Sequence, residues 1–289
     1  MQVLGWLVVI AAIITAYIFY RRSTAPAPEG VTSPPPHRAI ALGSALVAVV
    51  LALYLFSVAP PSVANLPPTL QEDFSTDPTT RGWYFNVPGQ VGWDQQNRRL
   101  LAKMKVGEGW YGVVPVDWNG DAFRAEWDIS LLKRDVDTVN KGPGAVAAVG
   151  MFDGSISNID DTDHVGGSSI LAVFGDTVRL RVSDINLLVK FAPPPGVRTE
   201  PVEIGKTYHA VLTYDRRANT ATLTVTERDT NRLMADLKIE DLRDLSSSID
   251  WFGVSMKGFN RNKDTQLPGH DKKGLFIDAA IDNVKYAQP

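Results

Sequence analysis

Two stretches of this chain carry no charged residue: Val3 to Tyr20, VLGWLVVIAAIITAYIFY, and Ala39 to Val58, AIALGSALVAVVLALYLFSV. A helix needs about 20 apolar residues to cross a hydrocarbon layer about 30 Å thick. Both runs approach that length, the first falling slightly short. Core helices of water-soluble domains rarely stay uncharged for so long. Trp6, Tyr17 and Tyr20 lie near the ends of the first run, and Tyr54 and Phe56 near the end of the second, as interfacial aromatics do. The expectation is a transmembrane helical hairpin in the lipid bilayer. A signal peptide cleaved near Ala25–Ala27 is the alternative for the first run, but no basic segment precedes it; the positive charges follow.

The connector, RRSTAPAPEGVTSPPPHR, decides the orientation. Arg21, Arg22 and Arg38 flank the two runs on the connector side, and no Lys or Arg follows the second run before Arg81. Basic residues in short loops stay cytoplasmic. The Pro-rich linker 21–38 is therefore expected inside as an extended turn, with both termini outside. Residues 1–64 then form a membrane anchor, and 65–289 an extracytoplasmic domain of a multi-pass cell-membrane protein. With 289 residues and a net charge of −3, nothing electrostatic calls for nucleic acid as a partner. The absence of cysteine excludes a disulfide scaffold and a thiolate zinc site.

From Leu70 onward the hydrophobic period becomes two. FRAEWDISLL sets Phe123, Ala125, Trp127 and Ile129 against Arg124, Glu126, Asp128 and Ser130. YHAVLTYD and TATLTVTER alternate likewise, with RRAN between them as a hairpin turn. TVRLRVSD, WFGVSM, GLFIDAAIDNVKY, RLLAKMKV, YGVVPVD, AVAAVGMF and SILAVFG also read as strands. LMADLKIEDLRDL is the one place where a helical turn or two is expected. Short strands at regular spacing predict an all-β domain of two packed antiparallel sheets.

The order of the pieces resembles a known family. EDFSTDPTTRGWYF opens the domain, GKTYHAVLTYDRRANTATLTV supplies a strand-turn-strand, and FIDAAIDNVKY closes it. Together, over Leu70 to Tyr286, they resemble the concanavalin A-like lectin/glucanase jelly roll, which includes laminin-G-like and family 16 glycosidase-like domains. The resemblance implies neighbouring first and last strands, which would bring Asp73 near Asp278 or Asp282. It also implies glycan binding on the concave sheet and a structural Ca2+.

Candidate chemistry follows from four groups. Glu126 and Asp128, two apart on one strand, share a face. Retaining glycosidases need two carboxyl groups about 5–5.5 Å apart, and the family 16 pattern is Glu-x-Asp-x-x-Glu; here the third place is Leu131. The ordinary alternative is two exposed carboxylates on a solvent face. Asp160, Asp161 and Asp163, with Asp153, crowd a Gly- and Ser-containing loop whose oxygens suit calcium, although turns attract Asp for their own reasons. Asp73 with Asp278 or Asp282 is the calcium option implied by the resemblance. Trp83, Trp93, Trp110 and Tyr111 are the rings considered for stacking on sugar faces, against the alternative of core packing.

No Gly-x-Ser-x-Gly, phosphate-cradling loop or paired-histidine metal motif occurs. The expectation is a binding module for a glycan or envelope polymer. The alternatives are a glycoside hydrolase with an incomplete motif, or a structural subunit facing a membrane-protein partner.

Overall fold

The computed structural model describes residues 68–105, 110–135, 145–153, 168–183, 189–194, 199–242, 249–255 and 275–288. Both apolar runs, the Pro-rich linker and the loop of Asp160, Asp161 and Asp163 lie outside these residues. Among the described residues, no helix is long and apolar enough to cross a membrane.

Strand β6 (Ala122–Arg134) shows how alternation becomes architecture. Phe123, Ala125, Trp127, Ile129 and Leu131 all point inward and are fully buried. Successive side chains of a strand face opposite ways, so Arg124, Glu126, Asp128 and Ser130 point outward. β11 (Thr207–Asp215) and β12 (Thr220–Glu227) repeat the pattern, burying Tyr208, Ala210, Leu212 and Tyr214, then Ala221, Leu223 and Val225. Their hairpin closes with Asp215 opposite Thr220, and Asn219 takes the positive φ of 53° that the turn needs. Each large side chain so buried contributes about 1.5–3 kcal/mol.

The described strands form two antiparallel sheets. The first runs β13 (Leu233–Ile239), β12, β11, β6, β15 (Phe276–Ala287), β4 (Arg99–Lys105) and β3 (Val91–Asp94), with β1 (Leu70–Glu72) also paired to β15. The second runs β10 (Val189–Ala192), β9 (Val178–Ser183), β8 (Ser169–Phe174), β7 (Ala147–Phe152), β14 (Trp251–Ser255), β5 (Tyr111–Pro115) and β2 (Tyr84–Phe85). One core joins them: the Trp127 ring lies 5.7 Å from that of Phe252. The first and last strands are neighbours, Leu70 opposite Tyr286 and Glu72 opposite Val284.

LMADLKIEDLRDL is not helical where described; Leu233–Ile239 is a strand that buries Met234, Ala235, Leu237 and Ile239. Pairing with β12 gives this edge a ladder, and that outweighs the helix propensity of Leu, Met and Ala.

The second sheet is buried on both faces along β7 and β8. Its inward side chains join the common core. Its outward ones, with Tyr111, Val113, Ala148, Phe152, Leu171 and Val173, form a separate apolar cluster. Gly150 and Gly253 lie opposite each other near its centre. A Cβ on Gly253 would stand 2.1 Å from the Gly112 carbonyl oxygen, so glycine is required by the closeness of the neighbouring backbone.

Candidate functional site

The polar face of the eight-stranded sheet carries a pocket of about 300 Å³ lined by Glu126, Asp128, His209, Thr226, Arg228, Asn231, Asn283 and Lys285. Strand register assembles it. His209 of β11 sits opposite Asp128 of β6, and Thr226 of β12 opposite His209. On the other side, Lys285 of β15 sits opposite Glu126. The β15–β6 ladder shifts between Asp282 and Lys285, and Asn283 adopts a φ of 50°. Asparagine tolerates that left-handed conformation better than most residues. The bulge turns Asn283 toward the same face as Asp282 and Lys285, a re-aiming common beside functional sites.

Asp128 is the hub. It is buried (4% exposed). It accepts from Asn283 Nδ2 at 2.7 Å and His209 Nδ1 at 3.0 Å, and forms an ion pair with the Arg228 guanidinium. Three donors satisfy a buried carboxylate that would otherwise be costly to desolvate. The other ring nitrogen, His209 Nε2, lies 3.7 Å from Glu126 Oε2, so each nitrogen of the ring faces a carboxylate. Burial pushes the His209 pKa down; Arg124 and Lys285 act the same way, and Glu126 opposes them. Glu126 itself accepts from Arg124 Nε at 2.5 Å.

Arg228 and Asn231 come from the turn after β12, and a second buried carboxylate fixes that turn. Glu227 accepts from Lys206 Nζ at 2.8 Å, Thr230 Oγ1 at 3.1 Å and Arg232 Nε at 3.3 Å. The Lys206 bond is the largest cause that holds the Glu227 pKa below the usual carboxylate range. The Arg228 amide donates to the Thr207 carbonyl at 2.9 Å, tying the turn to β11. The guanidinium is thus held over Asp128 by backbone as well as by charge.

Glu126 and Asp128 do share a face, but not as two exposed carboxylates: Asp128 is buried and Glu126 half-buried. The place of a third carboxylate, Leu131, is fully buried in the core. Trp83 is not an exposed ring. It is 3% exposed, packs 5.4 Å from Phe74, and donates Nε1–H to Glu72 at 3.2 Å. Trp93 is half-buried, its Nε1–H bonded to the Phe74 carbonyl at 2.8 Å, and Trp110 packs against the main core. Tyr111 is buried in the apolar cluster of the other sheet, its ring 6.0 Å from that of Tyr84, which is 54% exposed. The expected aromatic set therefore does not converge on the pocket.

Asp73 accepts from the Ser75 amide and hydroxyl in its own turn. It lies close enough to Asp282 to help raise that pKa, although burial is the larger cause. Asp278 stands opposite Lys103 and Lys133, several residues further along β15. Among the described residues, no group of three or more His, Asp or Glu side chains is placed to hold a metal ion. His209, Arg228, Asn231, Asn283 and Lys285 were not anticipated from sequence. Alternation does put His209 on the outward face, but the residues that meet it come from register across four strands.

No protein-family model matches the chain, and no curated protein sequence is similar to it. Solved structures with similar folds include a sialidase, at 15% identity over 78% of this chain with a TM-score of 0.48. A carbohydrate-binding module from Bacillus subtilis matches at 15% identity over 72%, with a TM-score of 0.40. Lectin II from Ulex europaeus matches at 12% identity over 77%, with a TM-score of 0.45. The match spans 19% of the sialidase chain, 96% of the bacterial module and 100% of the lectin.

Proposed function

We propose that residues 65–289 form a carbohydrate- or surface-polymer-binding module of concanavalin A-like, jelly-roll type. In this reading the two apolar runs hold it at the membrane and the connector charges place it outside the cell. The polar pocket around Asp128 carries the proposal. Asn283, Thr226, Glu126 and His209 from the strands, with Arg228 and Asn231 from the turn after β12, offer donors and acceptors to hydroxyl-bearing ligands. An enzyme finds less support. Asp128 is held by three donors, Glu126 by Arg124, and the position for a general acid is the buried Leu131.

The test is a glycan and polysaccharide array screened with the full chain in mild detergent, alongside Asn283→Ala. Binding that weakens in the variant supports the reading. No binding to any glycan or envelope polymer overturns it.

A further inference from the structure

Strand β12 carries a hollow at each end. Thr226, close to its C-terminal end, lines the pocket around Asp128. Thr220, its first residue, lines a second hollow of about 600 Å³ together with Ala218, Asn219, Lys238, Glu240 and Asp241. Alternation turns Ala221, Leu223 and Val225 into the core and leaves Thr220, Thr222, Thr224 and Thr226 outward in one half-buried row. Neighbouring threonines of a strand stand about 7 Å apart on the same face, so the row is about 20 Å long.

These hydroxyls are only partly committed to the fold. Thr220 and Thr226 make no side-chain hydrogen bond among the described residues. Thr222 shares one with Thr213 at 2.6 Å, and Thr224 donates to Asp236 at 3.3 Å. That leaves one O–H of the Thr222–Thr213 pair to donate and the Thr224 oxygen to accept. The row is flanked by His209, Val211 and Thr213 of β11 on one side, and by Asp236 and Lys238 of β13 on the other. Cations along it already stand beside carboxylates: Lys238 beside Glu240, Arg228 beside Asp128, and Lys285 opposite Glu126. Charge therefore gives no reason for an anionic ligand, and recognition falls to hydroxyls and amides at repeated positions. From this we infer that the sheet binds a linear, uncharged polysaccharide lengthwise along β12. Its units pass from the Asp128 pocket over the threonines to the hollow at Asn219 and Lys238. One sugar ring cannot span the row; a run of several can. The inference rests on the carbohydrate-binding reading and adds to it an extended ligand, held at internal units rather than at a single terminal sugar.

Affinity built in this way grows with ligand length, because each unit that reaches a further contact binds as part of a molecule already held. Isothermal titration calorimetry of the full chain in mild detergent would compare disaccharides and hexasaccharides derived from cellulose, laminarin, mannan and xylan. The variants are Thr226→Val and Thr220→Val. Neither loses a side-chain hydrogen bond to a described residue, and valine suits a strand, so unchanged thermal unfolding is the folding control. If either variant melts lower, the length dependence of the wild type still decides. The expected result is a hexasaccharide of at least one polymer bound about tenfold or more tighter than its disaccharide. Each variant weakens that hexasaccharide about threefold or more, and Thr220→Val leaves the disaccharide in the Asp128 pocket unaffected. Equal affinity for the two lengths would mean a one-unit site; it would overturn the extended track and leave carbohydrate binding standing. A hexasaccharide indifferent to Thr220→Val, or a Thr220→Val loss equal for both lengths, would overturn it as well. No binding of any of these sugars also overturns it, while the carbohydrate-binding reading then stands or falls on the wider array.

Discussion

His209 Nδ1 lies 3.0 Å from Asp128 Oδ1, across a strand pair that sets the two residues directly opposite each other. The contact joins β11 to β6, and Asn283 extends it to β15. Asp128 therefore ties three strands together on the outer face of the sheet. Its replacement by Ala leaves Asn283, His209 and Arg228 without their acceptor. The expected loss is about 1–3 kcal/mol, kept modest because Arg228 and His209 can turn to water. Urea unfolding followed by tryptophan fluorescence reads it; an unchanged midpoint would show that the network holds nothing together.

His209 gives the fold a pH dependence with a definite sign. Its ordinary value is 6.5, and burial lowers it in the folded state. The groups that face it are Arg124, Glu126 and Asp128 from β6, Lys285 and Asp282 from β15, and Arg228 from the turn after β12. The unfolded chain then binds the proton more readily. Stability tied to the neutral ring is complete above about 6.5 and is lost as pH falls through the lower folded value. Glu72 and Asp282, both raised mainly by burial, act in the opposite sense: their contributions are complete below 4.5 and 3.8 and fade as pH rises. They are common to wild type and His209→Gln, so they cancel in the comparison. The variant is expected to show a flatter decline in unfolding free energy from about pH 7 to pH 5. Parallel profiles would contradict the assignment.

Restoring a carboxylate at Leu131 will not create a hydrolase. Leu131 is fully buried among core side chains. Leu131→Glu places an unpaired carboxyl in that core at a cost of about 3 kcal/mol or more. A lowered melting temperature with no release of reducing sugar is the expected outcome. A stable, active variant would mean that the strand presents this position outward.

Gly253 tests the central approach of β14 to β5. An added Cβ meets the Gly112 carbonyl oxygen at 2.1 Å and Val113 Cα at 2.7 Å. Both are backbone atoms, so no rotamer change relieves the contact. Gly253→Ala is expected to cost about 3 kcal/mol, read as a fall in thermal stability. Gly205→Ala is a poor control because of its φ of 85°. Gly92→Ala serves better, since its Cβ would meet nothing closer than 3.9 Å.

Trp83 separates stacking on a ligand from packing in the core. Trp83→Phe keeps a ring beside Phe74 and Phe252 but removes the donor to Glu72. Glu72 retains the Phe74 amide at 3.1 Å and its ion pair with Arg81. The expected cost is about 1–2 kcal/mol in stability, with polysaccharide affinity unchanged. A loss of binding without a loss of stability would return Trp83 to the ligand site.

Sequence by itself determined which residues face inward. A period of two is a local property, and Phe123 to Leu131, Tyr208 to Tyr214 and Ala221 to Val225 all lie where their alternation puts them. It also marked Glu126 and Asp128 as neighbours on one face, because side chains two positions apart on a strand point the same way. Ring type without burial misled: Trp83 serves the core, and nothing local to GWYF distinguishes that from a surface ring. Only the tertiary structure decided that His209, Arg228 and Asn283 meet Asp128 and that Lys285 stands opposite Glu126. Those meetings depend on pairings between residues far apart in the chain, Asn283 and Asp128 being 155 apart, and on a bulge at Asn283. A one-residue slip of β11 or β15 would turn these side chains to the opposite face. Register is set by the whole packed core, so the pocket was invisible until the strands were placed side by side.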